Sequence, residues 1–476
     1  MIKKLENFLN SQYYLLTLAL LTFLFWFINI DSFGPNPYFD SLELIGISVF
    51  VLFMALCLVL YKRTIYTLPI VISSIFMLSN QNMGMTTLNE LWIFYVVLGV
   101  VAIAFIYHFI RFKVKLTFGF LGIPLILVAL TYILSISGYF LDQKPFEFSV
   151  IFISLMGFIY LLVYMFFRST NDGSYTKYLF KFFYYMSYVV ILQTFVMLIY
   201  YFIDHAHMGS FTEILSQGIE ERFGYIKNGF FVRLNVGWGL GNNIGGILAF
   251  FLPIHMYELF KSKSIKTLIL NALGFILVLI TIILTTSRGA YLGVLAFGIL
   301  FIIGFIKYAP FDYKKYKKVL IRIGLLLLPL LVLVIIFGVD FMISFMQKSS
   351  FLNGREVDWV DAWNYFLEHP IFGKSWYSDT WELDSFRSYH NTILHTLATM
   401  GIVGLLGFIY FQFNIVKLVI KNFHFESFVI LSMFIVTHVH GLVDNTYYAP
   451  LHMIPLLILL GSLETFNSSS TKLIES

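Results

Sequence analysis

The sequence predicts an all-α polytopic membrane protein with about 12–14 transmembrane helices and a large helical extracytoplasmic loop. Three observations carry this. Of the 476 residues, 59% are hydrophobic and 12% charged, where soluble domains average about 45–50% and 25%. Mean hydropathy is +0.84, and several runs exceed the ~18 apolar residues that cross a bilayer core. Basic residues also recur in alternate loops, the signature of a chain that crosses back and forth. These features exclude a soluble globular enzyme, a disordered chain and a nucleic-acid-binding module. The spans must be helices, because lipid obliges each one to satisfy its own backbone.

In chain order, the expected spans are 13–30, 42–61, 67–79, 91–110, 116–138, 148–167, 182–203, 239–259, 267–286, 289–307, 319–339, 392–415, 427–442 and 450–463. The third and the last two are short, so twelve is the lower count. Breaks carry Gly, Pro, Asn and Asp, as in Asp31-Ser-Phe-Gly-Pro-Asn-Pro. The opening Met1–Asn10 segment is expected to precede a retained first span, since no small-residue cleavage site is seen after it. The single cysteine, Cys57, lies within an apolar run, so no disulfide framework or thiolate metal site is expected. With the N-terminus inside, 22 of the 31 basic residues fall on the cytoplasmic side and 19 of the 26 acidic residues fall outside. Both termini are therefore expected in the cytoplasm. The chain divides into N-terminal helices (1–203), a first outer loop (204–238), helices with a Ser-Arg-Gly junction (239–339), a large outer loop (340–391), and C-terminal helices with a tail (392–476).

The large loop holds four of the seven Trp: Trp359, Trp363, Trp376 and Trp381. Within it, 354–370 reads as a helix ended by Pro370. Arg355, Trp359 and Trp363 are spaced to share one stripe, which places the helix along the membrane surface.

Outer basic residues are few. Apart from Lys144 in a short turn, they are Arg222, Lys227 and Arg233 in the first loop, Arg288 at a tight turn, and Lys348, Arg355, Lys374 and Arg387 in the second loop. Arginine near hydrocarbon costs about 2.5–3.5 kcal/mol, so each needs a reason. One is snorkelling to headgroups. The other is bidentate grip on phosphate oxygens. Arg288, in Thr286-Ser-Arg-Gly-Ala290, is wedged between two long spans and faces a helix junction.

Two further elements stand out. His390 lies where the large loop meets a span, where an imidazole can take a proton from a sugar hydroxyl; the bland alternative is that His390 and Asn391 only cap the helix. The stretch from Val232 to Gly246 is Gly-rich, contains Asn242 and Asn243, and opens a span. It suits either anion approach to a helix N-terminus or close helix packing. No strand is expected before it, so it is not a nucleotide fingerprint. His438, His440 and Asp444, or His205 and His207, make weak metal candidates. Asp204, Glu220 and Glu221 fit solvated loop charges better than catalytic carboxylates.

Together these elements resemble the O-antigen ligase and polysaccharide polymerase family, bacterial membrane glycosyltransferases that use undecaprenyl-pyrophosphate-linked glycans. The resemblance rests on the Gly-Asn-rich span opening at 233–246, Thr-Ser-Arg-Gly-Ala-Tyr-Leu-Gly at 286–293, the loop pattern Gly354-Arg…Trp359…Ala362-Trp363…His369-Pro-Ile-Phe-Gly373, and His390-Asn…Leu394…Gly401-Ile-Val-Gly404. It covers roughly 230–410. One departure is Met400, where the family often carries Glu before Gly-x-x-Gly. The resemblance implies a C-type glycosyltransferase fold and an inverting transfer with no metal and no cofactor. It further implies Arg233 and Arg288 on the pyrophosphate, Arg222 and Arg355 as further clamp residues, and His390 as general base. Implied partners are the lipid-linked oligosaccharide, a glycan acceptor, the bilayer, a flippase and a chain-length regulator, and no nucleic acid. The implied location is the bacterial cytoplasmic membrane, with the site facing outside.

The chemistry needs little more. Pyrophosphate is already a good leaving group; fixed cations stabilise its developing charge, with about 3–4 kcal/mol typical of one donor. The expected function is a polysaccharide polymerase that transfers a glycan from undecaprenyl pyrophosphate onto a lipid-linked repeat unit. The alternatives are a ligase acting on another acceptor and a lipid-linked glycan transporter without catalysis. Scarce mid-span charge and the absence of internal repeats argue against transport. Richness in Phe, Ile, Lys and Tyr suggests an AT-rich Gram-positive source without a lipid A acceptor, which favours polymerase.

Overall fold

The apolar runs become helices of nearly the predicted extent. The computed structural model describes residues 2–29, 41–77, 92–141, 154–171, 175–227, 230–232, 234–308, 355–375, 389–421, 423–445 and 449–474. The helices, in order, are α1 (Ile2–Leu9), α2 (Gln12–Ile28), α3 (Ser41–Leu60), α4 (Thr67–Phe76), α5 (Trp92–Phe112), α6 (Gly122–Leu134), α7 (Ile136–Leu141), α8 (Met156–Thr170), α9 (Thr176–Asp204), α10 (Phe211–Glu220), α11 (Gly241–Phe260), α12 (Ile265–Leu284), α13 (Arg288–Tyr308), α14 (Arg355–Glu368), α15 (Thr392–Lys421), α16 (Phe425–His440) and α17 (Pro450–Ile474). Every expected span coincides with a helix except 319–339, which lies outside the described residues, as do Arg233, Lys348, Trp376, Trp381 and Arg387. Among the described residues, six helices are long and apolar enough to cross a membrane, and the pair Lys3–Leu9 and Gln12–Ile28, bent by 69°, makes a seventh if it is one span. Six more apolar helices have 10–17 residues.

One element departs from the all-helical expectation. Strands β1 (Tyr225–Lys227) and β2 (Phe230–Val232) pair antiparallel ahead of the Gly-rich segment. A strand thus does precede it, but as half of a hairpin rather than of a strand–helix–strand unit. The short pairing leaves no apolar or alternating run long enough to read from sequence.

Helix α11 is the axis of the C-terminal half and packs against α9, α12, α13 and α16. Small residues make this possible. A Cβ on Gly245 would meet Thr285 Oγ1 at 2.7 Å and Ala290 Cβ at 2.9 Å, so the α12–α13 turn lies directly on the backbone of α11. Serine hydroxyls cap α2 and α12 at one end of the bundle: Ser11 accepts from Tyr14 N, and Ser264 from Thr267 N. That end also holds a half-buried clamp. Glu464 of α17 accepts Arg168 Nε at 2.8 Å and Phe120 N at 3.0 Å, with Tyr164 OH on its other oxygen. The clamp ties α8 and α17 to the segment before α6.

Candidate active site

At the other end of the bundle, five chain segments converge. After α10 the chain turns at Arg222, whose carbonyl accepts Leu234 N at 3.1 Å; Leu234 O then accepts Gly241 N at 3.0 Å, fixing Arg222 beside the start of α11. Asn243 accepts Leu240 N at 3.2 Å, capping that start. The tight turn Thr285-Thr-Ser287 joins α12 to α13. Ser287 is wholly buried and its hydroxyl accepts Ala290 N at 3.3 Å. Arg288 therefore occupies the first turn of α13, where the helix dipole disfavours a cation by about 0.3–1 kcal/mol.

Asn391 caps α15: its Oδ1 accepts Ile393 N and Leu394 N, both at 3.0 Å. The capping expectation for Asn391 thus describes its contacts, but Asn391 does more. Its Nδ2 donates to Leu442 O at 2.9 Å, and Thr392 N donates to Gly441 O at 2.8 Å. These bonds stitch the start of α15 to the turn after α16 and bring His390 against Asp444. His390 Nδ1 lies 3.1 Å from Asp444 Oδ1, and Arg355 Nη2 lies 3.5 Å from Asp444 Oδ2. Arg355 Nη1 donates to Val443 O, and Trp359 Nε1 to His390 O at 3.4 Å. Burial pushes the Asp444 carboxyl up, but the His390 hydrogen bond and the charges of His440, His390 and Arg355 outweigh it and hold it at about 2.

These segments enclose a cavity of about 270 Å³, whose lining includes Arg222, Asn242, Asn243, Thr286, His390 and Asp444. Four of the sequence candidates thus share one wall. Arg288 and Arg355 adjoin it through Thr286 and Asp444, close enough for their like charges to act on each other. Arg222, Thr286 and His390 all hold positive φ, at 56°, 54° and 47°. Such backbone costs non-glycine residues about 1–3 kcal/mol and collects where function demands a geometry.

Some expectations change. Trp363 is 47% exposed, and Ala362 is the buried position of α14. Steps of four drift about 40° each on a helix of 3.6 residues per turn, so Trp363 rotates away from Arg355 and Trp359. His438 Nδ1 lies 2.8 Å from Phe434 O of its own helix, while Asp444 lies beside His390, Arg355 and His440. His205 stacks on Tyr201.

Residues 273–409 match the family model described as O-Antigen ligase. Over that stretch the chain is similar to the O-antigen ligase family. No curated protein matches it. The matched stretch takes in part of α12, all of α13 and α14 and most of α15, and so includes Arg288, Arg355 and His390. That family implies a lipid-linked glycan substrate, a membrane setting and glycan transfer in the general sense. Arg222, the Asn pair and Asp444 lie outside the matched stretch, yet the fold sets Arg222, Asn242, Asn243 and Asp444 against His390. The role of Asp444 as the carboxylate of His390 escaped the sequence reading, which paired it with His438 and His440. Its position four residues after His440, at the end of an expected span, was the available signal.

Proposed function

We propose that the protein is an inverting, metal-independent polymerase that moves a glycan from undecaprenyl pyrophosphate onto a lipid-linked repeat unit at the outer face of the bacterial cytoplasmic membrane. The observation that carries this reading is the His390–Asp444 pair opening on a cavity shared with Arg222. Asp444 accepts the Nδ1 proton, which leaves Nε2 as the base nitrogen. The acceptor hydroxyl gives its proton to Nε2 as its oxygen bonds to the anomeric carbon. The bond from that carbon to the pyrophosphate oxygen breaks, and the electron pair leaves with the lipid pyrophosphate. Arg222 and Arg288, with the N–H groups opening α13, meet that charge; the family resemblance gives Arg233 the same role. Arg288 and Arg355 repel one another, and an anion beside them relieves that repulsion. Arg355 serves chiefly through Asp444, since it already holds that carboxylate and Val443 O. Among the described residues, Asp444 is the one carboxylate on the cavity wall and is committed to His390, which favours direct displacement with inversion over a covalent intermediate.

The deciding experiment gives the purified protein a lipid-linked repeat unit. A ladder of extended products supports polymerisation. A single product on a different acceptor supports ligation, and no covalent change supports transport.

A further inference from the structure

His440 ends α16, and its imidazole is 1% exposed. Two other buried histidines place one ring nitrogen on a nearby polar group and leave the second without a partner among the described residues: His108 Nδ1 lies 2.8 Å from Leu58 O and His255 Nε2 2.7 Å from Ser187 Oγ. His440 Nε2 has no hydrogen-bond partner among the described residues. It lies 4.0 Å from Asp444 Oδ2, the oxygen not used by His390. The seat of this ring is built from two glycines on different helices. A Cβ on Gly246 of α11 would stand 2.5 Å from His440 Cε1, and one on Gly289 of α13 would stand 2.6 Å from Nε2. Both glycines belong to sequence motifs, the Gly-rich span opening and the Ser-Arg-Gly junction, whose glycines the transfer chemistry leaves unexplained.

We propose that His440, clamped between Gly246 and Gly289, is a positioning residue that braces the second oxygen of Asp444 and keeps the first on His390. This rests on the base role of His390. Because Asp444 follows His440 by four residues across the turn, its carboxylate folds back over the imidazole. Arg355 and His440 then hold Oδ2 from two sides, and Oδ1 stays on Nδ1 of His390 while that ring gains and loses the acceptor proton. Other charged or titratable groups facing the assembly are Arg288 from α13, Arg355 from α14, His395 from α15, His452 from α17 and Arg222 on the cavity wall; α11 presents Gly246 and Phe250 there.

The test is the pH–rate profile of glycan transfer on a lipid-linked repeat unit. The base works as neutral imidazole, and Asp444 favours its protonated form. Loosening Asp444 therefore lets the proton leave at lower pH and weakens the base. His440→Leu and Gly289→Ala are expected to lower the plateau rate about tenfold, at the mild end of losing an orienting partner. Both should move the acid limb down by about half a unit, within the ~1 unit by which folded environments move a histidine. His440→Gln, which returns an amide N–H near Nε2, is expected to recover most of the rate and the limb position. Gly298→Ala, on the same helix with open space around it, is the neutral control. A lost rate with an unmoved limb in His440→Leu, Gly289→Ala and His440→Gln alike overturns the proposal, as does an unchanged rate. If His390→Ala itself retains transfer, it is the base reading that fails, a result separate from either.

Discussion

Asp444 joins a histidine and an arginine that are 35 residues apart in sequence, and one substitution tests what that union does. Asp444→Asn keeps the shape and removes the charge. Transfer is expected to fall by about 10²–10⁴-fold, since an amide favours the wrong imidazole tautomer; a steady-state rate on a lipid-linked repeat unit measures it, and a loss under fivefold rejects the pair. The same carboxyl sets a pH expectation. Its folded value of about 2 lies below the ordinary 3.8. Depression means stability that is present above the ordinary value and lost as pH falls through the folded one. Asp444 therefore stays ionised between pH 5 and 8, and thermal melts across that range should show no step from it; the loss belongs below about pH 4. Arg288→Ala and His390→Ala are each expected to abolish extension at normal protein level, read by glycan ladders and blotting. Arginine and histidine were legible because such groups are rare on the outer face. Asp444 was not, because only the bonds from Asn391 and Thr392 to the turn after α16 reveal its partner.

Helix α15 is broken in a way its sequence conceals. Gly401 takes φ 65° and ψ −164°, a region that glycine alone occupies readily. The segment after α14 fills the break: Lys374 N and Ser375 N donate to Ala398 O and Thr399 O, while Pro370 O and Ile371 O accept Ile402 N and Val403 N. These bonds answer the backbone groups that a broken helix would otherwise bury unpaired. They also explain the His369-Pro-Ile-Phe-Gly373 motif as a plug, with Gly373 at φ 75°. A Cβ on Gly401 would strike Ile371 O and stand 2.7 Å from Gly373 N. Gly401→Ala is therefore expected to destabilise by at least about 1–3 kcal/mol, seen as a lowered melting temperature in detergent, with transfer lost because α14 carries Arg355. An unchanged melt would remove the plug. The expected span 392–415 read as one helix because hydropathy follows composition and is blind to a single residue's φ.

At the scale of the molecule, spans were legible and neighbours were not. Each span announces itself by its own apolar run, whereas the packing of α13 on α16, and of α15 on α6 and α14, depends on small residues facing each other across long sequence gaps. What the sequence does carry at this scale is sidedness. Lys181, Lys261, Lys307 and Lys417 gather at the end opposite His390, where their ammonium groups lie over aromatic rings. By the positive-inside rule, we propose that the Lys-rich end faces the cytoplasm and the cavity the outside. Cysteine labelling with a membrane-impermeant maleimide on intact cells tests it. The native Cys57 is 1% exposed, so background is low. Thr212→Cys, on exposed α10 at the cavity end, is expected to label in intact cells; Lys263→Cys, in the exposed α11–α12 turn, is expected to label only after the cells are opened. The reverse result would put the His390–Asp444 pair on the cytoplasmic side, out of reach of any glycan carried on the outer leaflet, and would end the polymerase and ligase readings together.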